Sequence, residues 1–185
     1  MLSVAVFFGL IAGSFALNYI DGSCPDVTPR SPVDLNRIAG DWWAILRDDK
    51  SWNLMGKCIM NHFDRPVDGV ARVVFKSISK TTNVASLIES NVTLSADNVL
   101  QFVNHLPGWG DSEQNQIVLD ADPERYAIVY SCKNYQNKYL EKFWVYARNK
   151  DDYGYFTNNQ YLMQVSESYG LRNPNWVKVD NENCI

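Results

Sequence analysis

Eight times between residues 42 and 148 the chain repeats one pattern: a run of β-branched, aromatic and aliphatic residues, then a cluster of turn-formers. The runs are 42–47, 57–63, 70–79, 84–94, 98–104, 114–120, 126–133 and 140–148. Between them stand Pro66-Val67-Asp68-Gly69, Thr81-Thr82-Asn83, Ser95-Ala96-Asp97, Pro107-Gly108-Trp109-Gly110-Asp111 and Asp122-Pro123-Glu124. Gly, Pro, Asn, Asp and Ser supply the backbone angles that reverse a chain. Short strands at this spacing predict an antiparallel sandwich or barrel. Eight strands in up-and-down order close into a barrel whose interior has room for one small ligand.

The flanks differ. Residues 1–16 are apolar, carry no charge and end in Ser14-Phe15-Ala16, the pattern of a secretory signal peptide. The remaining residues, 17–185, contain no repeat and no linker and read as a single domain. Pro25, Pro29 and Pro32 make an irregular arm, and a helical turn at 34–37 leads into the first strand. In the tail, Tyr161, Leu162, Val165 and Tyr169 approach helical spacing over 157–169, with Thr157 as a cap and Gly170 as a stop. Residues 175–179 read as one more short strand.

Hydrophobic residues make up 46% of the chain, which excludes disorder, and a net charge of −4 argues against a nucleic-acid partner. No later segment is long and apolar enough for a transmembrane helix. The four cysteines, Cys24, Cys58, Cys132 and Cys184, read as two disulfides in one of three connectivities, and an extracellular location follows. There is no CxxC, and with only His62 and His105 to assist, no metal site is expected. With all cysteines paired there is no thiolate nucleophile, and no Ser-His-Asp set emerges, so no enzyme and no catalytic cofactor are expected. Asp120, Asp122 and Glu124 read as a solvated turn, His62 as sheet surface and His105 as loop. Asn91-Val92-Thr93 is an N-glycosylation acceptor.

Two distant residues sharpen the barrel reading. Gly40-Asp41-Trp42 opens the first strand and Arg148 ends the last long one, so an indole and a guanidinium can meet at the closed end. With these tokens, with Tyr130-Ser131-Cys132, with four cysteines and with a tail helix, the chain resembles the lipocalins. The tokens Cys24-Pro25-Asp26-Val27, Asp34-Leu35, Gly40-Asp41-Trp42-Trp43 and Gly56-Lys57-Cys58 make it similar to the bilin-binding protein, insecticyanin, crustacyanin and apolipoprotein D group. The turn at Ala121-Asp122-Pro123 departs from that family's usual pattern.

The resemblance implies an all-β, eight-stranded antiparallel lipocalin barrel with a C-terminal α-helix packed outside. It implies disulfides Cys24–Cys132 and Cys58–Cys184, each closing a long loop and stabilising by about 4–5 kcal/mol at most. Arg148, Tyr146, Trp144, Lys142 and Leu140 would face inward, as would Trp42, Ala44 and Leu46. Val129, Ser131 and Lys133 join them, as do Val73, Phe75 and Ser77, then Ile88, Ser90 and Val92, and finally Leu100 and Phe102. A ligand would meet Phe75, Ser77, Ile88, Ser90, Phe102, Ser131, Lys133, Leu140, Lys142 and Trp144. A mouth loop over 47–55 would add Trp52 and Asn53. The implied function is a secreted carrier that binds a pigment noncovalently, a biliverdin-type bilin or a carotenoid such as astaxanthin. The alternatives are an apolipoprotein D-like lipid or retinoid transporter and, in another class, a lipocalin-type inhibitor or interaction protein. Trp52, Leu54 and Trp109 are candidate contacts in a homo- or hetero-dimer.

Overall fold

The computed structural model describes residues 19–50, 55–106, 108–156 and 158–184. The leader 1–16, the mouth residues Trp52, Asn53 and Leu54, and the cap Thr157 lie outside the described residues.

Ten strands form one antiparallel sheet: β1 Ile20–Asp21, β2 Gly40–Asp48, β3 Gly56–Phe63, β4 Ala71–Ser79, β5 Ala85–Leu94, β6 Leu100–Leu106, β7 Gly110–Asp122, β8 Tyr126–Tyr135, β9 Lys138–Ala147 and β10 Trp176–Lys178. Neighbours in sequence pair in space from β2 to β9, and β9 pairs back onto β2. That last pairing closes an eight-stranded barrel. β1 adds to β9 and β10 adds to β2 on the outside. A 3-10 helix, Asp152–Phe156, and α1, Gln160–Ser168, follow β9.

The hydrophobic residues divide into two clusters because successive strand residues point to opposite faces. One cluster fills the lower barrel: Trp42, Ala44, Phe63, Val73, Val92, Phe102, Val118, Val129, Trp144 and Tyr146 belong to it. The second lies between the outer wall and the C-terminal segment: Ile45, Leu46, Ile128, Tyr130, Phe143, Val145, Leu162 and Trp176 belong to it. Leu162 and Ser166 are the buried face of α1. Its N-terminal turn is held by Asn158, whose side-chain oxygen accepts the Gln160 amide at 3.1 Å. Its end is set by Gly170 at φ +69°, a left-handed angle that suits glycine, with the Leu171 amide donating back to the Ser166 carbonyl.

Several expectations are corrected. Leu46 does not face inward. A β-bulge between Ala44 and Leu46 adds a residue, so Leu46 pairs with the outward Val145 and Arg47 pairs with the inward Trp144. Arg47 is therefore not part of a mouth loop: it is buried at the end of β2. β6 begins at Leu100 rather than 98 and reaches Leu106, which places His105 on a strand instead of a loop. β7 starts at Gly110 rather than 114, because Leu106 and Gly110 pair across a tight hairpin. Asp120 lies on β7, where the Tyr126 hydroxyl donates to it at 2.7 Å and the Tyr161 hydroxyl donates to the same oxygen, so it is not a solvated turn residue.

Candidate functional site

The closed end is built around one side chain. The Arg148 guanidinium carbon lies 3.9 Å from the centroid of the Trp42 ring. Its Nε donates to the Pro123 carbonyl at 3.0 Å, Nη1 to Ala39 at 2.8 Å, and Nη2 to Arg37 at 2.8 Å. The turn at Ala121-Asp122-Pro123 thus meets Arg148 through a backbone carbonyl. Trp42 donates its indole N–H to the Ile38 carbonyl at 2.7 Å, which fixes the ring under the cation. Gly40 has φ +99°, and a Cβ there would stand 3.2 Å from Nη1 of Arg148. Both facts demand glycine at that position.

Above this floor the interior is apolar and aromatic. Trp144 and Tyr146 stack with centroids 5.9 Å apart and planes 17° apart. Phe102 meets Phe63 at 6.2 Å and Phe75 at 5.7 Å. Burial pushes the Tyr146 hydroxyl up to about 12, opposed by its hydrogen bond with Asn61.

Toward the open end the lining turns polar. Ser90 donates to the side-chain oxygen of Asn104 at 2.6 Å. Gln114 donates to the Ser131 hydroxyl at 3.4 Å. Three cations share the inward register of their strands: Arg47 opposite Trp144, Lys142 opposite Ser131, and Lys133 opposite Leu140. Burial lowers Arg47 to about 10. It lowers Lys142 to about 8, with the nearby positive charge of Lys133 adding to the effect. Among the described strand residues, no Asp or Glu shares the inward register.

The sequence-predicted ligand set is thus divided by height. Phe75, Phe102 and Trp144 belong to the aromatic layer. Ile88 lies opposite Phe75, Ser77 opposite Ser86, and Ser90 opposite Val73 on the inward register of β4 and β5. Ser131, Lys133, Leu140 and Lys142 gather at the upper end of β8 and β9, where they line a cavity of about 300 Å³. Lys133 is exposed at its rim, whereas Leu140 is buried. Arg47, Asn61, Asn104 and Gln114 were not in that set. Simple alternation along β6 and β7 reaches Asn104 and Gln114 once Phe102 is placed inward; Arg47 is hidden by the bulge.

The arm and tail are fastened to this barrel. Cys24 bonds Cys132, 108 residues away, and Cys58 bonds Cys184, 126 residues away, the pairs implied by the resemblance. Asn91 stands exposed on the outer face of β5, with His105 at 3.3 Å. Trp109 at the β6–β7 hairpin is 90% exposed.

No family model matches the chain. Among known proteins it is similar to apolipoprotein D of Cavia porcellus, at 24% identity over 192 residues, spanning 100% of this chain and 96% of that one. It is also similar to the bilin-binding protein of Pieris brassicae, at 26% over 149 residues, covering 78% of this chain and 77% of that one. Among solved structures, insecticyanin from the tobacco hornworm Manduca sexta superposes with a TM-score of 0.73 at 20% identity, covering 89% of each chain. A closed eight-stranded cup, an arginine-covered tryptophan at its base, an outer helix and these likenesses agree: the chain has the lipocalin fold, in the neighbourhood of apolipoprotein D and the bilin-binding protein.

Proposed function

We propose that this protein is a secreted, non-enzymatic carrier that holds one small hydrophobic molecule noncovalently in its barrel. A biliverdin-type bilin is the first candidate and a carotenoid the second. The observation that carries the reading is the aromatic layer of Trp144, Tyr146, Phe75 and Phe102 beneath a polar upper lining. Apolar walls supply affinity, at about 25 cal/mol per Å² of ligand surface buried before ordering costs, and sparse polar atoms fix orientation. A flat conjugated molecule matches flat rings. Similarity to a protein named for binding bilin supports the same choice. Two disulfides support an oxidising, extracellular setting. Among the described residues no helix is long and apolar enough to cross a membrane.

The test is to refold the protein separately with biliverdin and with astaxanthin, then record absorbance and tryptophan fluorescence. A shifted, protein-bound absorbance band with quenching is the expected result. Absence of both with either pigment removes the chromophore reading. Full-length similarity to apolipoprotein D favours a lipid or retinoid as the second reading. Colourless protein that releases a fatty acid or sterol into organic solvent would select it.

A further inference from the structure

The barrel wall parts on one side. β7 and β8 pair from Asp122 and Tyr126 only as far as Ile117 and Tyr130. Both strands run on toward the open end, to Gly110 and Tyr135. There each keeps its other neighbour: β7 stays on β6 as far as Leu106, and β8 stays on β9 as far as Lys138. A bulge between Val118 and Asp120 stands directly below the parting, and a bulge bends the strand that carries it. The parted length of β8, from Ser131 to Tyr135, spans about 16 Å at about 3.3 Å per residue.

A cavity of about 300 Å³ opens in this slot. Its lining takes in both registers: Gln114 and Ser131 point inward, Glu113 and Asn115 outward. A cavity bounded by both faces of the sheet opens through the wall as well as into the barrel. Leu140 on its inner side shares a face of β9 with Trp144, so the slot leads down to the aromatic layer.

The two lips are held differently. β8 is stapled to the arm by Cys24–Cys132, and the Cys24 amide donates to the Asn134 side chain at 2.7 Å. Over this length β7 is carried by β6, with His105 and Asp111 in contact across the pair at 2.8 Å. The β6–β7 hairpin is therefore the less tethered lip. Across the slot Gln114 donates to the Ser131 hydroxyl at 3.4 Å, at the long end of hydrogen-bond distance. Widening the slot breaks that side-chain bond and no strand pairing.

Size and chemistry say what crosses here. A volume of about 300 Å³ stands at the small end of ligand pockets, so a longer molecule must project from it. Where the strands part, Ser112, Gln114, Asn115 and Ser131 offer uncharged hydroxyl and amide groups. Glu113 and the two lysines of the lining carry opposite signs, so the slot presents no single-sign field.

We propose that the ligand passes through the wall between β7 and β8 rather than over the rim. It is an elongated, mostly apolar molecule that lies against Trp144 and Phe102 and leaves an uncharged terminal oxygen, a hydroxyl or a carbonyl, in the slot on Gln114 and Ser131. The inference rests on the carrier reading and deepens it by naming the route and the polar group.

The test is photoaffinity labelling of the whole protein with two forms of hexadecanol, one carrying a diazirine beside the hydroxyl group and one near the methyl end. Peptide mapping by mass spectrometry should place the first label within 110–116 or 131–135 and the second beside Phe102 or Trp144. Asn115 is exposed on the outer lip, so Asn115→Phe narrows the slot from outside without entering the barrel. It should slow release of hexadecanol at least about tenfold in stopped-flow tryptophan fluorescence, as expected of an obstructed gate. Val84→Phe, at the exposed β4–β5 hairpin of the rim, should leave the rate unchanged. A hydroxyl-end label at Met55 or Val84, or an unchanged release rate in Asn115→Phe, overturns the lateral route and leaves the carrier reading standing. If biliverdin or astaxanthin binds and hexadecanol does not, the release rate of that pigment from Asn115→Phe decides in the same way. If none of the three binds, the carrier reading falls and the slot falls with it.

Discussion

At the scale of single residues, Arg148 and Lys142 are cations held in opposite ways. Arg148 spends its donors on backbone carbonyls of three separated segments while covering Trp42. Arg148→Ala removes all of these at once and should destabilise the fold by about 3 kcal/mol, read from urea denaturation. Arg148→Lys keeps the charge but loses the planar fork, and should recover less than half of that. Neither change should alter ligand binding directly, since the floor lies at the far end of the barrel from the upper cavity. Burial works against the Lys142 ammonium, with the nearby positive charge of Lys133 adding to the effect, and its folded pKa falls from 10.5 to about 8. The unfolded chain then keeps a proton that the folded chain has released. The Lys142 contribution to ligand-free stability therefore rises as pH climbs from about 8 toward 10.5. Lys133 and Ser131 on β8 and Gln114 on β7 line the cavity with Lys142, and Arg47 shares the inward register on β2. Urea midpoints across that window should rise more steeply in the unmodified protein than in Lys142→Met.

At the scale of elements, what the sequence reveals and what it hides can be separated by mechanism. Alternation is local, so strands such as β4, β5 and β9 are legible from their own residues. A bulge is not local: it depends on how two strands settle against each other. The bulge in β2 carried Leu46 outward and Arg47 inward, against simple alternation. Another lies between Lys57 and Met60 at Cys58, which has φ +51° and turns toward the tail. The tail is tied down by an ion pair that sequence distance conceals. Arg172 bonds Asp48 on β2 and Glu141 on β9, both buried, and Tyr130 donates to Glu141 at 3.3 Å. Burial works to lower the Arg172 pKa, yet the two carboxylates outweigh it and the net shift is upward. Arg172→Leu leaves two buried carboxylates without their cation and should cost about 3–5 kcal/mol in thermal or urea unfolding. Replacing all three charged groups with apolar residues of similar size should cost much less.

At the scale of the whole molecule, the closed barrel was legible because eight strands in meander order have few other ways to lose their edges. The upper pocket was only half legible. Ser131, Lys133, Leu140 and Lys142 follow from the alternation of β8 and β9, but the split beside them requires β7 and β8 to part, which no residue type announces. Asn91 on the outer wall is accessible to a glycan, so protein made in a secretory host should lose mass on treatment with an N-glycosidase. Asn91→Gln should abolish that loss without affecting ligand binding. Replacing Cys58 and Cys184 with serine should cost up to about 4–5 kcal/mol, read as a lowered denaturant midpoint.

The two long-range disulfides also impose an order in time. A chain emerging from its N-terminus has Cys24 and Cys58 available early, but their partners are Cys132 and Cys184. The bond from the arm can form once β8 has emerged, while the bond to the tail must wait for β10 and the segment after it. Until β8 has emerged, Cys24 and Cys58 precede both of their partners, and a premature Cys24–Cys58 link is the error that this arrangement must avoid.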